Sequence, residues 1–523
     1  MRVLVAEKIA AAGIELLSAE YSVVDGTSMS RDELLAAIGD CDALIVRSAT
    51  QADAELIGRA PNLKVIGRAG IGLDNVDVDV ATKAGIVVVN APTSNVISAA
   101  EHTIALMLSQ ARNIPRADAS MRAGKWERSR FEGVELHGKI LAILGLGRIG
   151  TLVAQRALAF GMKVIAFDPY VAKQRAAQMG VEVVETLEDA LSRADFVTLH
   201  LPKTKETASL IGARELALMK PNARIVNASR GGMIDEAALA AAVREGTIGG
   251  AALDVYSSEP APEDTPVRAE PNIVLTPHLG ASTEEAQEKA GVTIAEQVRL
   301  ALRGELAQYA VNVDAGREIS DTVRPFIGLA ERLGRLFVSV AGGSVTNVSL
   351  RYNGQIADHD TKVLTLSALR GMLGAVVTEP VTFVNAPLLA AERGIEYSET
   401  KSAAARDYVN VLEIRGEDGV GVAGTLVGTR NEERITRVYD FHLEMPPGEV
   451  MCFLRYDDRP GVIGAIGTIL GERSINIADM RVGRQERGGE ALMALSVDTE
   501  IPAEVLDELG KGSGAKSAVV VVL

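Results

Sequence analysis

The chain has 523 residues, with 54 Lys and Arg against 69 Asp and Glu, for a formal charge of −15. That balance argues against nucleic acid or an anionic membrane as a partner, and an anionic substrate would need a local cluster of Arg to overcome the general field. The length calls for roughly three or four domains, and the two distant cysteines, Cys41 and Cys452, form no disulfide framework and point to a reducing cytoplasm.

Residues 1–7 read as a strand ended by Glu7, not as a signal peptide. No apolar run approaches the ~20 residues of a transmembrane helix. Short buried strands at 2–6, 21–24, 43–46, 64–66 and 86–89 alternate with amphipathic runs at 9–17, 32–38 and 53–58. Alternation of this kind predicts a parallel sheet with helices on both faces. This unit has no G-x-G-x-x-G turn. A long helix over 98–112 bridges to the next unit, and His102 inside it reads as structural.

Residues 139–170 carry the most informative pattern. An apolar strand at 140–144 runs into Gly145-Leu-Gly-Arg-Ile-Gly150, followed by a helix over 151–160, a strand at 163–167 and then Asp168. The glycines allow a tight turn, backbone approach to a pyrophosphate and close helix packing. The helix N-terminus faces the phosphates. Asp168 falls where a ribose 2′-OH acceptor belongs and disfavours a 2′-phosphate, so the cofactor is NAD rather than NADP. Further strands are predicted at 196–199, 224–227, 250–254 and 273–276, and a helix over 283–302 returns to the first unit.

Ligands of open α/β sheets bind at the carboxyl ends of strands. Arg230, Glu259 and His278 all follow such ends. Removing a hydride from a carbinol carbon requires taking the hydroxyl proton, and a His near neutral pKa suits that task. A carboxylate on the other ring nitrogen favours the imidazolium. A guanidinium fork holds a substrate carboxylate. Candidate cofactor contacts are Gly145, Gly147, Arg148, Ile149 and Gly150 on the turn, Asp168 beyond it, and His200, Pro202, Ser229, Asp254 and Gly280 at strand ends. No His, Cys or carboxylate cluster has metal-ligand spacing.

Past 315 the rhythm breaks. Residues 316–448 hold Gly-rich, strand-like segments around a few helices, and 444–448 reads as a Pro/Gly linker. The tail predicts strand 450–456, helix 461–473, strands 475–482 and 490–498, helix 502–510 and strand 517–523, a ferredoxin-like βαββαβ order. The fold class is α/β: two doubly wound parallel-sheet domains, an α+β intervening domain and a ferredoxin-like C-terminal domain. The expected division is 1–97 with 282–314 as a discontinuous substrate domain, 98–281 as the cofactor domain, 315–448 as the intervening domain and 449–523 as the tail.

The glycine turn with Asp168, the segment Lys220-Pro-Asn-Ala-Arg-Ile-Val-Asn-Ala-Ser-Arg230 and Thr276-Pro-His278 resemble the D-2-hydroxyacid dehydrogenase family. Arg47-Ser-Ala-Thr50, Gly67-Arg-Ala-Gly-Ile-Gly-Leu-Asp-Asn75, Gly124-Lys-Trp-Glu-Arg128 and the C-terminal extension narrow it to the long type, with an intervening domain and a C-terminal ACT domain. The resemblance runs nearly end to end; 316–448 matches by general pattern. It implies Arg230 as carboxylate binder, Glu259 as the His partner and His278 as acid–base. It implies NAD-dependent oxidation of 3-phospho-D-glycerate to 3-phosphohydroxypyruvate, the entry to serine synthesis, by a cytoplasmic homotetramer.

Such a substrate has two anionic ends. Arg47 and Arg68 follow strands of the first unit and face the cleft in this reading, and Arg68-Ala69-Gly70 is expected to form a backbone anion nest. Trp126 and Arg128 lie in a loop that reaches toward a neighbouring subunit. Tyr456, Asp458 and Asn476 match the pattern by which ACT domains bind amino acids between paired domains, with L-serine as the natural effector. Two other functions remain open at this level. One is reduction of an unphosphorylated 2-hydroxy acid's keto form, such as glyoxylate or hydroxypyruvate. The other is a non-catalytic NAD-sensing scaffold.

Overall fold

The computed structural model describes residues 1–314, 319–343, 345–377, 381–405, 407–417 and 419–523. Five parallel strands make the first sheet, in the order Ser22–Asp25, Arg2–Val5, Ala43–Val46, Val65–Arg68, Val87–Asn90. The central strands are almost wholly apolar because helices bury both of their faces. One covering helix is Glu284–Leu302, which buries Ala290, Ile294, Ala295, Val298 and Leu302 at helical spacing. The chain thus returns to this sheet after completing the second one.

The second sheet has seven parallel strands, ordered Ile273–Leu275, Gly250–Leu253, Arg224–Asn227, Phe196–Leu199, Ile140–Leu144, Lys163–Phe167, Val181–Val183. Strand order reverses between Ile140–Leu144 and Phe196–Leu199, which creates a crevice at the carboxyl ends of these two strands. The bridging helix Val96–Ala111 packs on this sheet through Ala100, Ile104 and Met107.

The third sheet is mixed, with six strands ordered Glu396–Ser402, Asn347–Gly354, Asn410–Gly416, Gly421–Val427, Glu432–Val438, Phe441–Met445. Helices Phe326–Val340 and Lys362–Gly374 share its core. The fourth sheet is antiparallel, ordered Ile477–Arg484, Glu490–Val497, Val450–Asp457, Ser517–Val522, with helices Val462–Glu472 and Ala503–Ser513 in βαββαβ order.

One expectation needs correction here. Glu444 and Met445 belong to a strand, and Met445 is fully buried. Only 446–449 connect the third and fourth sheets. The alternating apolar pattern Phe441, Leu443, Met445 outweighs the Pro-Pro signal that follows it. The two sheets also share one core: Met451, Phe453, Leu492 and Val521 pack with Phe337, Phe441 and Leu443. The expected boundary at 315 lies outside the described residues. Among the described residues no helix is long and apolar enough to cross a membrane.

Candidate active site

A cavity of about 920 Å³ opens between the first two sheets. Its charged lining is Lys8, Arg47, Arg68, Lys203, Arg230 and Arg268 against Asp74 and Glu259, six cations to two carboxylates. A protein of charge −15 therefore holds a local positive pocket, which is what recognition of a small anion requires.

His278 and Glu259 meet in this cavity. His278 Nδ1 lies 2.6 Å from Glu259 Oε2, and Glu259 Oε1 accepts a hydrogen bond from Tyr256 N at 3.0 Å. The hydrogen bond to Glu259 raises the His278 pKa above its ordinary value, against the effect of burial. Burial works to raise the Glu259 carboxyl, but the bonds from His278 and Tyr256 N outweigh it and hold the pKa below the usual value. With Nδ1 committed to the carboxylate, Nε2 is the nitrogen left to exchange a proton with a ligand.

A clamp sets the His278 loop. His278 has φ 55°, in the left-handed region that a non-glycine residue occupies only at a cost of about 1–3 kcal/mol. Its N–H donates to Asp254 O at 2.8 Å. The fully buried Asp254 carboxylate accepts from Leu279 N at 2.7 Å, Gly280 N at 2.9 Å and Thr276 Oγ1 at 2.6 Å. His102 Nε2, from the bridging helix, lies 3.0 Å from the same carboxylate. The sequence assigns Asp254 and Gly280 to direct cofactor contact. The structure bonds them to each other, as part of the platform beneath His278.

Arg230 projects from the turn after Arg224–Asn227. Buried Asn227 shapes that turn, donating to Arg230 O at 2.8 Å and accepting from Ser229 N at 3.1 Å and Ser229 Oγ at 3.0 Å. Gly231 is required there, because a Cβ would lie 1.6 Å from Tyr256 O. Arg230 Nη1 donates to Ser229 O at 2.7 Å, and Nε lies 3.4 Å from Asp74 across the cleft.

Arg68 is the most deeply placed cation. Burial, then the nearby Arg230, push its pKa down to about 10, so it remains charged at neutral pH. Its buried Nε has no hydrogen-bond partner. A guanidinium withdrawn from water and incompletely bonded is costly, and a ligand anion offsets that cost. The backbone nest expected at 68–70 is not free: Ala69 N donates to Val46 O at 2.9 Å and Gly70 N to Arg68 O at 2.8 Å. The end of the neighbouring strand takes the first donor, and the tight local turn takes the second. Arg47 also lines the cavity, its Nη1 donating to Lys8 O at 3.3 Å.

The crevice of the second sheet fits a dinucleotide. The helix Arg148–Ala159 begins directly at Gly147, with no side-chain cap and no acid in its first turn, so its N–H dipole end is left for a phosphate. Its start lies three residues earlier than the sequence predicts. A Cβ at Gly147 would meet open space, whereas one at Gly150 would lie 2.2 Å from Gly145 O. Asp168 accepts from Leu146 N at 2.8 Å and Tyr170 N at 2.9 Å. A carboxylate offers about four acceptor sites, so capacity remains for a ribose diol. Arg148 reaches across to Pro92 O at 3.3 Å, and Ile149 packs on the core. His200 and Pro202 follow the strand at the switch point. Loss of water holds the His200 ring down at about 4, and Thr198 Oγ1 lies 3.1 Å from its Nε2.

Comparison with known proteins completes this picture. Residues 104–280 match the family described as D-isomer specific 2-hydroxyacid dehydrogenase, NAD binding domain. Residues 322–439 match the D-3-phosphoglycerate dehydrogenase intervening domain, and residues 450–511 match the ACT domain. The D-3-phosphoglycerate dehydrogenase of Mycobacterium tuberculosis is 47% identical over 509 residues, covering 96% of each chain. The chain belongs to the D-3-phosphoglycerate dehydrogenase family. Relatives of that name from Methanocaldococcus jannaschii and Bacillus subtilis are 43% and 40% identical, covering 100% and 97% of this chain. Among solved structures, a glyoxylate reductase from Paecilomyes thermophila is 32% identical, with TM-score 0.54, covering 60% of this chain and 98% of its own. A formate dehydrogenase from Staphylococcus aureus in complex with NAD is 28% identical, with TM-score 0.53, covering 59% of this chain and 97% of its own. The chain is an NAD-dependent dehydrogenase of this family, with a C-terminal domain of the kind that carries small-molecule control.

In the ACT domain the expected effector residues lie apart. Tyr456 is buried, and Asp458 accepts from Arg484 Nη1 and from Gly488 N, each at 3.3 Å. Asn476 Nδ2 donates to Asp498 at 2.7 Å. Val450–Asp457 and Ile477–Arg484 are both antiparallel to Glu490–Val497, so they run in the same direction. Asp458 follows the end of one and Asn476 precedes the start of the other. Eight strand residues at ~3.3 Å each put these ends roughly 26 Å apart. A single protomer does not bring Tyr456, Asp458 and Asn476 onto one ligand.

Sequence reasoning missed Asp74, Lys8, Lys203 and Arg268 as cleft residues and read His102 as structural. Asp74 stands in the quoted motif at 67–75, next to Asn75, and was the one with a usable signal.

Proposed function

We propose that this chain oxidises 3-phospho-D-glycerate to 3-phosphohydroxypyruvate with NAD, under feedback by L-serine, as a cytoplasmic homotetramer. The observation that carries the reaction is the His278–Glu259 pair at 2.6 Å in the same cavity as the incompletely bonded Arg68. NAD supplies the hydride acceptor when bound, held by the Gly145–Gly150 turn with Asp168. Arg230 holds the substrate carboxylate and polarises the adjacent carbonyl that forms as the hydride leaves. Arg47 and Arg68 take the phosphate. His278 Nε2 takes the hydroxyl proton, and Glu259 favours the imidazolium that results. Asp254 and His102 hold the loop in place. We assign 1–97 with 282–314 to the substrate domain, 98–281 to the cofactor domain, the segment up to 448 to the intervening domain and 449–523 to the ACT domain.

The likeness to a glyoxylate reductase favours a second reading, an unphosphorylated 2-keto acid as substrate. The count of cations in the cavity exceeds what a single carboxylate needs. A steady-state assay with NAD against 3-phosphoglycerate and D-glycerate separates the two. A strong preference for the phosphorylated acid is expected; a preference for D-glycerate selects the second reading.

A further inference from the structure

Glu7 stands just beyond the first strand, Arg2–Val5, and enters no step described above. Its Oε1 accepts from Arg47 N at 2.9 Å and Thr50 N at 2.9 Å, and its Oε2 accepts from Ser48 N at 3.2 Å and Ala49 N at 3.1 Å. Four successive backbone N–H groups thus converge on one carboxylate. Such a concavity is an anion nest. The turn is gripped from its other side as well. Asn75 Nδ2, from the loop after Val65–Arg68, donates to Arg47 O at 3.0 Å and Thr50 O at 2.6 Å. The residue after Glu7 fixes the side chain, since Lys8 O accepts from Arg47 Nη1 at 3.3 Å.

We propose that Glu7 and Asn75 are positioning residues that aim Arg47 at the substrate's phosphate, and that Glu7 is a resident anion closing the 47–50 nest to the substrate. This rests on the phosphorylated acid being the substrate. A phosphate entering the cleft would be drawn to four convergent N–H groups at the wrong place. Glu7 already fills them. Burial works to raise its pKa, but the backbone bonds from Thr50, Arg47 and Ala49 outweigh that and keep it ionised. The anionic end of the substrate is then left with guanidinium groups: Arg47, held in place, and Arg68, whose Nε lacks a partner.

A glutamine cannot take over this role. Its amide has one acceptor oxygen, and its NH₂ would face N–H donors. Glu7→Gln therefore leaves part of the nest unbonded and frees the turn. The test is a kinetic split. Wild type, Glu7→Gln, Arg47→Ala and the double variant are assayed on 3-phosphoglycerate and D-glycerate, with the KM for NAD as the control for an intact fold. Glu7→Gln should raise KM for 3-phosphoglycerate by about tenfold, the effect of one poorly made charged contact. The kcat, the KM for NAD and the KM for D-glycerate should each stay within about twofold of wild type. The double variant should be no worse than Arg47→Ala alone, because Glu7 acts through Arg47. Should Glu7→Gln not fold, Asn75→Ser loosens the same turn from the carbonyl side and should give the same split. Equal losses on both acids, or additive losses in the double variant, overturn the proposal. A wild type that ignores 3-phosphoglycerate overturns the assigned substrate instead.

Discussion

In the cleft, Arg47, Arg68, Arg230, Glu259 and His278 come from separate loops of two sheets and line one cavity of a single protomer. In the ACT domain, Asp458 and Asn476 lie only 18 positions apart in sequence (476 − 458), yet at opposite ends of one sheet. Sheet topology accounts for the contrast. All strands of a parallel sheet point one way, so residues following strand ends gather on one rim. In the βαββαβ fold, the loop after the first strand and the loop before the second lie at opposite rims. One chain brings these cleft residues together, whereas an effector site built from Asp458 and Asn476 needs a second copy to bring one to the other.

The largest expected effect tests the self-contained half of that contrast. His278→Ala should lower kcat by roughly 10²–10⁴-fold by removing the proton acceptor, with little change in the KM for NAD. A near-normal kcat would remove His278 from the chemistry. Next in size, Arg68→Ala should cost the phosphorylated substrate about 1.5–3 kcal/mol in kcat/KM and D-glycerate much less; a uniform loss would mean that Arg68 supports the fold rather than the phosphate.

The second half concerns the ACT domain. L-serine inhibition should require dimers of this domain, and couplings of this type are about 1–3 kcal/mol. Asp458→Ala and Asn476→Ala chains, each insensitive alone, should regain partial inhibition when mixed as hetero-oligomers, because one of the two sites is then intact. No recovery in the mixture would place the site within one protomer or elsewhere. The smallest effect is in the pH profile. Oxidation needs neutral His278, whose pKa is raised by Glu259. The oxidation rate should fall on acidification with an inflection above the ordinary histidine value. Glu259→Gln removes the group that favours imidazolium, so the inflection should move to lower pH while kcat drops; an unmoved inflection would mean that Glu259 does not tune His278.

Much of this was legible in the sequence, for reasons that follow the same contrast. The glycine turn, Asp168 and the strand-end residues Arg230, Glu259 and His278 are local patterns, each read from a stretch of ten to thirty residues. What escaped reading is contact between loops far apart in the chain. Glu7 meets residues 47–50, Asp74 meets Arg230, and His102 meets Asp254, and no spacing rule announces such pairs. The expected nest at 68–70 failed for a related reason: whether a run of N–H groups is free depends on what surrounds it, and Ala69 N is taken by Val46 O of the neighbouring strand and Gly70 N by Arg68 O. The nest exists one strand away and is filled. At 444–445, the following prolines and glycine suggest an open linker where alternating apolar residues continue a buried strand.

The central claim is that one protomer's cleft is built for an acid with two anionic ends. The direct measurement is kcat/KM with NAD for 3-phospho-D-glycerate against D-glycerate, on the wild-type chain and on Arg68→Ala. The account predicts a large preference for the phosphorylated acid that shrinks by about tenfold or more in the variant; equal values for the two acids in wild type, or a preference unchanged by the substitution, would contradict it.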